Sequence, residues 1–383
     1  MITAGELRDR LAGLGDERPV TRLAWTPELA AAEAWFADQA AAGGLRVERD
    51  PAGSLWAVPA GDGPWWATGS HVDSVRRGGR FDGPLGVAAG FAVAERVPGV
   101  AVIAFADEEG ARFNTPTFGS RALTGRLDVA DVLGRRDDDG VTLGDAMRAA
   151  GADPARLGDA SAWLPRLRGF VELHIDQTRD LERLGAPAGA VRALASRMRL
   201  ALTFAGRADH AGTTRRDERA DALAAAARII VAADELADGD PDFLVTAARM
   251  LVEPNAFTTV PSGVRLWIDG RTPDPERLTD WRGALADRAA ALAADTGVAI
   301  ELTTASHTEG VGFDPGVLAA LGELPGLVCF AGHDAGILAA RMPAGMVFVR
   351  NPTGVSHAPE EDVSLEDAAV AATALHDALE RLA

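Results

Sequence analysis

The apolar positions of this chain change period several times, and each change predicts an element. "TPELAAAEAWFADQAAAGG" opens on Thr26 as a cap with Pro27 at the first helical position, and it stops at Gly43-Gly44, as a helix does. Short runs follow, "LRVERD", "SLWAVPA", "WWATGS" and "VAVIAFAD", separated by Gly, Pro and Asp. They read as strands alternating with the helical segment "GVAAGFAVAERV", so an α/β layer architecture is expected.

The middle of the chain changes character. "RMRLALTFAGRADHAGTT" predicts a strand and turn, "ERADALAAAARIIVAADELA" a long helix, "GVRLWIDGR" an alternating strand, and "RLTDWRGALADRAAALAADTG" another helix. A compact α+β unit inserted in the first domain is expected: residues 1–191 and 306–383 form the outer domain and 192–305 the insert. From about Ser306 short buried strands such as "AGMVFVR" return, then a final helix, "SLEDAAVAATALHDALERLA".

With 383 residues, 47% of them hydrophobic, a sizeable core is within reach. Fifty-six acidic against thirty-eight basic residues give a net charge of −18, which argues against nucleic acid or an anionic membrane as partner. The chain has no Lys and no Tyr, excluding a P-loop lysine, a Schiff-base lysine and a tyrosine acid or nucleophile. The single cysteine, Cys329, excludes an internal disulfide and suggests a reducing compartment. The N-terminus has neither a basic start nor an apolar run, and the expected location is cytoplasmic.

Candidate chemistry gathers where the backbone is freest to bend. In "GSHVDSVRRGGRFDGPLG", His71 and Asp73 follow an apolar strand and Asp82 follows a glycine turn. Imidazole and carboxylate suit zinc or a similar ion, and a carboxylate two residues from the His can orient its ring. Taken alone, His-x-Asp more readily describes a turn held by local Asp hydrogen bonds. "VAVIAFADEEGARF" ends a strand in Asp107-Glu108-Glu109, adjacent like charges that a metal would compensate while leaving one carboxylate as a base. A solvated acidic loop is the plain alternative. His174 in "GFVELHIDQ" and His357 in "NPTGVSHAPEED" lie near strand ends, where a lone His is commonly a core residue. Jointly, His71, Asp82, Glu109, His174 and His357 supply five N/O ligands, which suits a dinuclear zinc or manganese site with one bridging carboxylate.

The motifs "GSHVDSV…GGRFDGPLGV", "FADEEGARF…GSRALTG", "VELHIDQ", "GRADHAGTT…RADAL", "AGHDA" and "GVSHAPEE" occur in order, and together they resemble the N-carbamoyl-L-amino-acid hydrolase and allantoate amidohydrolase family. The resemblance spans nearly the whole chain. It implies a catalytic domain with a mixed, mostly parallel sheet flanked by helices, plus a smaller inserted α+β domain that forms a homodimer and closes over the site. It implies two divalent ions per chain, zinc or manganese with cobalt or nickel as alternatives. Their ligands would be His71, Asp82, Glu109, His174 and His357, with Asp82 bridging. Glu108 would be the general base toward water activated by the ions, and Asp73 would hold His71. His210 would donate to the developing oxyanion, while Gln177 and Arg271 would bind a small substrate with a free carboxylate; His210 or Arg271 could come from the neighbouring subunit.

Departures from the family pattern fall on the substrate side. Asp176-Gln177-Thr178 stands for Glu-Gln-Gly, Thr258 for an Asn that would help hold the carboxylate, and Cys329-Phe330 for Ser-Gly. The expected reaction is hydrolysis of a linear C–N bond in an N-carbamoyl-L-amino acid or ureido acid such as allantoate. Alternatives are N-formyl or N-formimino amino acids, an aminoacylase or dipeptidase of the same chemistry, or a metal-binding assembly protein without turnover. A cysteine hydrolase using Cys329 and His333 is a further rival, against which the apolar run before Cys329 predicts a buried strand residue.

Overall fold

In the computed structural model, which describes residues 1–15 and 18–383, the chain divides into two units. Unit 1 comprises residues 1–192, 312–327 and 332–383, and unit 2 comprises 193–311 and 328–331. The expected break at 305 falls inside a strand, Ala299–Thr308, which carries unit 2 onward to Val311.

Among the described residues, fifteen strands run along the chain. They are β1 (Arg46–Arg49), β2 (Leu55–Val58), β3 (Trp65–His71), β4 (Val100–Phe105), β5 (Leu167–Ile175), β6 (Ala188–Leu194), β7 (Ser196–Ala205), β8 (Asp209–His210), β9 (Leu244–Glu253), β10 (Thr259–Val260), β11 (Gly263–Thr272), β12 (Ala299–Thr308), β13 (Val311–Gly312), β14 (Gly326–Cys329) and β15 (Ala344–Val349). The large sheet has the order β1-β2-β4-β3-β5-β15-β6-β13, with β14 on β6. Its centre, β4-β3-β5-β15, is parallel, while β1, β2 and β6 join it antiparallel. Strands buried on both faces read as continuous apolar runs rather than alternations, and "VAVIAF" and "AGMVFV" are buried at every position.

The helix Pro84–Ala94 is apolar all round and buried along its length up to Val93, packed between the sheet and the helices Ala4–Ala12 and Leu365–Leu382. The helix expected after Thr26 spans Pro27–Ala42, and the Thr26 hydroxyl accepts from the Leu29 N–H at 3.4 Å.

Unit 2 contains a four-stranded antiparallel sheet, β12-β7-β11-β9, whose apolar face packs on the helices Ala222–Glu235 and Pro275–Thr296. The strong alternation of β7 and β11 matches their one-sided burial. β9 and β12 are not evident from the pattern, because each lies at a sheet edge and is exposed along most of its length.

Candidate active site

The four parallel strands end at one edge of the large sheet, where open α/β sheets place ligands. His71 closes β3, Glu108 and Glu109 follow β4, His174 lies one residue from the end of β5, and His357 follows β15. Asp82 arrives from the turn before the helix Pro84–Ala94. That turn explains part of the glycine richness. Gly83 has φ +86, and a Cβ there would lie 2.6 Å from the His71 ring; at Gly79 it would lie 2.3 Å from a Glu361 carboxylate oxygen.

These residues converge as two triads sharing Asp82: His71, Asp82 and His174 in one, Asp82, Glu109 and His357 in the other. Within each, the potential ligand atoms lie within 4.8 Å of one another. The two oxygens of Asp82 are divided between them. Oδ1 is 3.3 Å from His71 Nε2 and 3.0 Å from His174 Nε2, whereas Oδ2 faces His357 Nε2 at 3.7 Å, and Glu109 Oε2 is 3.4 Å from that same nitrogen.

Backbone carbonyls hold the far side of two rings. His71 Nδ1 lies 3.1 Å from the Asp73 carbonyl and His174 Nδ1 lies 3.0 Å from the Ile175 carbonyl, a pairing that puts the proton on Nδ1 and leaves Nε2 a lone pair. The Asp73 carboxylate is 3.5 Å from His71 Nδ1, and its oxygens accept from the N–H groups of Glu108 and Glu109 at 3.2 and 3.1 Å. Asp73 therefore orients both the ring and the acidic turn. Asp107 takes a left-handed conformation, φ 48, at the start of that turn.

The cluster holds more negative charge than its imidazoles balance. Burial opposes ionisation of Asp82, yet His174 and His71 hold its carboxyl well below the usual range. Burial and then Asp82 push Glu109 up to about 8. Burial also raises Glu108, with Asp334, Glu109 and Asp73 adding to it against His71. Buried like charges of this kind require protons or cations. Among the described residues, His71 Nε2 and Glu109 Oε1, both buried, have no hydrogen-bond partner, a demand that a cation in each triad would meet. Imidazole and carboxylate donors without sulfur fit a zinc- or manganese-type ion.

Glu108 is buried, with Oε2 3.9 Å from His71 Nε2. Gln177 Nε2 donates to Asp82 Oδ2 at 3.2 Å, which puts its amide beside the second triad. His210, Thr258 and Arg271 belong to unit 2. His210 pairs with Thr259 across β8 and β10, and Ala211 N–H donates to the Thr258 carbonyl. His210 Nδ1 accepts from the Gly212 N–H at 3.0 Å, so its Nε2 carries a proton to donate. Arg271 donates through Nε to Asp269 at 2.7 Å and through Nη1 to the Phe330 carbonyl at 2.8 Å.

Glu172 and Glu361 were not singled out by pattern, and His333 entered only as a partner for Cys329 in the rival reading. Glu172 accepts from Ser70 Oγ and the Ala335 N–H. The His333 ring lies 4.4 Å from that of His174, and among the described residues neither of its nitrogens has a hydrogen-bond partner. Glu361 Oε1 accepts from the Asp82 N–H at 3.1 Å. "AGHDA" and "SHAPEE" contain His333 and Glu361, but a motif does not reveal that its carboxylate is turned onto a backbone N–H 279 residues away. Cys329 is buried, its sulfur accepting from the Ala331 N–H at 3.3 Å.

Comparison with known proteins gives this constellation its class. Residues 57–381 match peptidase family M20/M25/M40, and the chain belongs to that family of enzymes. It is 38% identical over 408 aligned residues to the N-carbamoyl-L-amino acid amidohydrolase of Geobacillus stearothermophilus, covering 100% of this chain and 99% of that protein. It is 31% identical over 394 residues to the allantoate amidohydrolase of Bacillus subtilis, covering 97% of this chain and 94% of that protein. A crystal structure of an amidase of the hydantoinase/carbamoylase family from Burkholderia multivorans superposes with a TM-score of 0.88 at 31% identity, covering 99% of this chain and 98% of that one. Among the described residues, no helix is long and apolar enough to cross a membrane.

Proposed function

We propose that the chain hydrolyses the linear amide C–N bond of an N-carbamoyl-L-amino acid, or a related ureido acid, that carries a free carboxylate. The observation that carries this reading is the division of the Asp82 oxygens between two ligand triads with Glu108 beside them. The names of the similar amidohydrolases support the substrate class.

His71, Asp82 and His174 hold one divalent ion and Asp82, Glu109 and His357 a second, zinc or manganese by donor chemistry. Bound there, such ions supply Lewis acidity, polarising the scissile carbonyl and easing deprotonation of water. Glu108 accepts the proton of the attacking water and returns it to the leaving nitrogen, and Asp73 fixes the turn that aims it. His210 donates from Nε2 to the oxyanion. Gln177 contacts the bound carbamoyl end. Arg271 holds the carboxylate through its planar fork, with the Thr258 hydroxyl in support. Two copies pair through unit 2, where the edge strand β9 exposes Met250 and Leu251.

The test is turnover by metal-loaded protein of a panel of N-carbamoyl, N-formyl, N-formimino and N-acetyl L-amino acids plus allantoate. Preference for a ureido substrate is expected. Preference for N-acetyl substrates would move the chain to the aminoacylases, and no turnover across the panel would leave a binding protein.

A further inference from the structure

In a chain of net charge −18, the uncovered face of the unit 2 sheet is basic. β11 points Arg265, Trp267, Asp269 and Arg271 away from the core, and the register sets Arg197 opposite Arg271, Arg199 opposite Asp269, and Arg249 opposite Trp267. Five guanidinium groups thus share one face with Asp269. Arg199 and Arg271 both donate to that carboxylate, at 2.9 and 2.7 Å. Arg249 and Arg265 instead flank the Trp267 ring, their guanidinium carbons 4.9 and 5.4 Å from its centroid. Among the described residues, Arg249 has no carboxylate partner.

The face is concave. A groove of about 460 Å³ is lined by Arg199, Arg249, Trp267, Arg271 and Leu244, and Asp269 is the one carboxylate in its wall. That is the size range of small-molecule sites. Its chemistry is specific: an indole and a leucine to cover a short carbon chain, and guanidinium groups to meet an anion at its end. The arginines also oppose one another. The Arg197 guanidinium is pushed below its ordinary range by burial and then by Arg199 and Arg271, so an added anion relieves repulsion that Asp269 only partly offsets.

We propose that this groove receives a second acidic group of the substrate, so that N-carbamoyl derivatives of L-aspartate and L-glutamate type are preferred over neutral ones. The inference rests on the reading of Arg271 given above. If Arg271 grips the α-carboxylate, the substituent on the α-carbon lies in the groove that Arg271 lines, within reach of Arg199 and Arg249.

The experiment has a binding arm and a turnover arm. In the first, calorimetry on the metal-free chain compares N-carbamoyl-L-glutamate with N-carbamoyl-L-glutamine, which has nearly the same shape without the second charge. The acid is expected to bind about tenfold or more tightly, the worth of one charge-assisted hydrogen bond. Arg249→Gln should erase most of that ratio, Arg249→Lys should retain part of it, and added salt should shrink it. Equal binding of acid and amide by the wild-type chain overturns the proposal. So does a preference that survives both Arg249→Gln and Arg199→Gln, because the discrimination then arises elsewhere.

In the second arm, the metal-loaded chain is assayed on the same pair and on N-carbamoyl-L-leucine. Turnover with kcat/KM highest for the glutamate derivative supports both readings. Turnover without acid preference overturns the groove alone. Absence of turnover, with the Arg249-dependent binding preference intact, overturns the catalytic reading and leaves the groove as an acid-binding site.

Discussion

The edge of the large sheet in unit 1 and the open face of the unit 2 sheet both concentrate charge, and they handle it in opposite ways. At the first, Asp73, Asp82, Glu108 and Glu172 are all buried, and each carboxylate is bound to a backbone N–H or a neighbouring side chain or raised in pKa. At the second, the Arg199 side chain is 51% exposed and water screens what its neighbours do not. Buried charge is tolerated where something removes its cost, whereas exposed charge needs no such partner. The first region should therefore fail sharply when one group changes, and the second should change what it binds without losing its fold.

The largest effects belong to the buried edge. Glu108→Gln keeps the shape and the backbone hydrogen bonds of the acidic turn but removes the proposed proton acceptor, so kcat should fall by about 10²–10⁴-fold with metal content unchanged. His71→Ala should lose metal as well, because its Nε2 is one of three donors in the first triad. Elemental analysis beside the rate assay separates the two, and near-normal activity of Glu108→Gln would remove the base assignment. Adding back zinc or manganese to chelator-treated protein should raise its melting temperature, since ligand at about 100 times its Kd contributes about 2.7 kcal/mol. No shift with either ion would mean that the carboxylates are kept by protons alone.

Gly79→Ala tests the wall behind Asp82. Its Cβ would lie 2.3 Å from a Glu361 oxygen that accepts the Asp82 N–H. Metal affinity, read by competition with a chelating dye, should drop by about 10-fold or more, the usual scale for disturbing groups that orient a ligand. An unchanged affinity would show that Glu361 does not position Asp82.

The contrast also governs what could be read from the sequence. Central strands and buried helices declare themselves, since "VAVIAF" and "AGMVFV" have no other way to be satisfied than burial on both faces. The strand ends follow from them, and with them the convergence of His71, Glu108, His174 and His357. Asp82 was legible through its glycines. What stayed hidden is whatever depends on a third element. The edge strands β9 and β12 lack a pattern because only neighbours define them. Glu361 and His333 carry no local sign of their burial. The basic groove is invisible for the same reason: Arg199 and Arg249 lie far apart in sequence and meet only through the register of β7 and β9 on β11.

Smaller effects sharpen the comparison away from the active edge. Asp50 is buried in the turn between β1 and β2, where its carboxylate accepts from the N–H groups of Ala52 and Ser54 and from Trp56 Nε1 at 2.9, 3.0 and 3.0 Å. Burial nonetheless pushes its pKa up to about 6. A folded pKa above the unfolded value of about 3.9 favours the protonated form in the fold, so its contribution is full at low pH and declines as the pH rises through 6. Asp50→Ala should cost about 3 kcal/mol or more at pH 4, from three orphaned donors at roughly 1 kcal/mol or more each, and less at pH 7. Denaturant unfolding at the two pH values checks this, and a cost that grew with pH would reverse the sign.

Arg199→Gln should have the smallest effect on stability of all. It removes an ion pair with Asp269, yet Asp269 keeps Arg271 at 2.7 Å, and the loss also takes a positive charge away from Arg197. Half-exposed pairs contribute roughly 0–1 kcal/mol, and here the relief of repulsion offsets part of even that. The midpoint of denaturant unfolding should therefore move by less than about 1 kcal/mol in either direction. A loss above about 2 kcal/mol would show that the arginines are structural, part of what holds β7 to β11. The open face would then resemble the buried edge, and the acid preference expected of it would lose its physical basis, because a guanidinium committed to the fold has little left to offer a ligand.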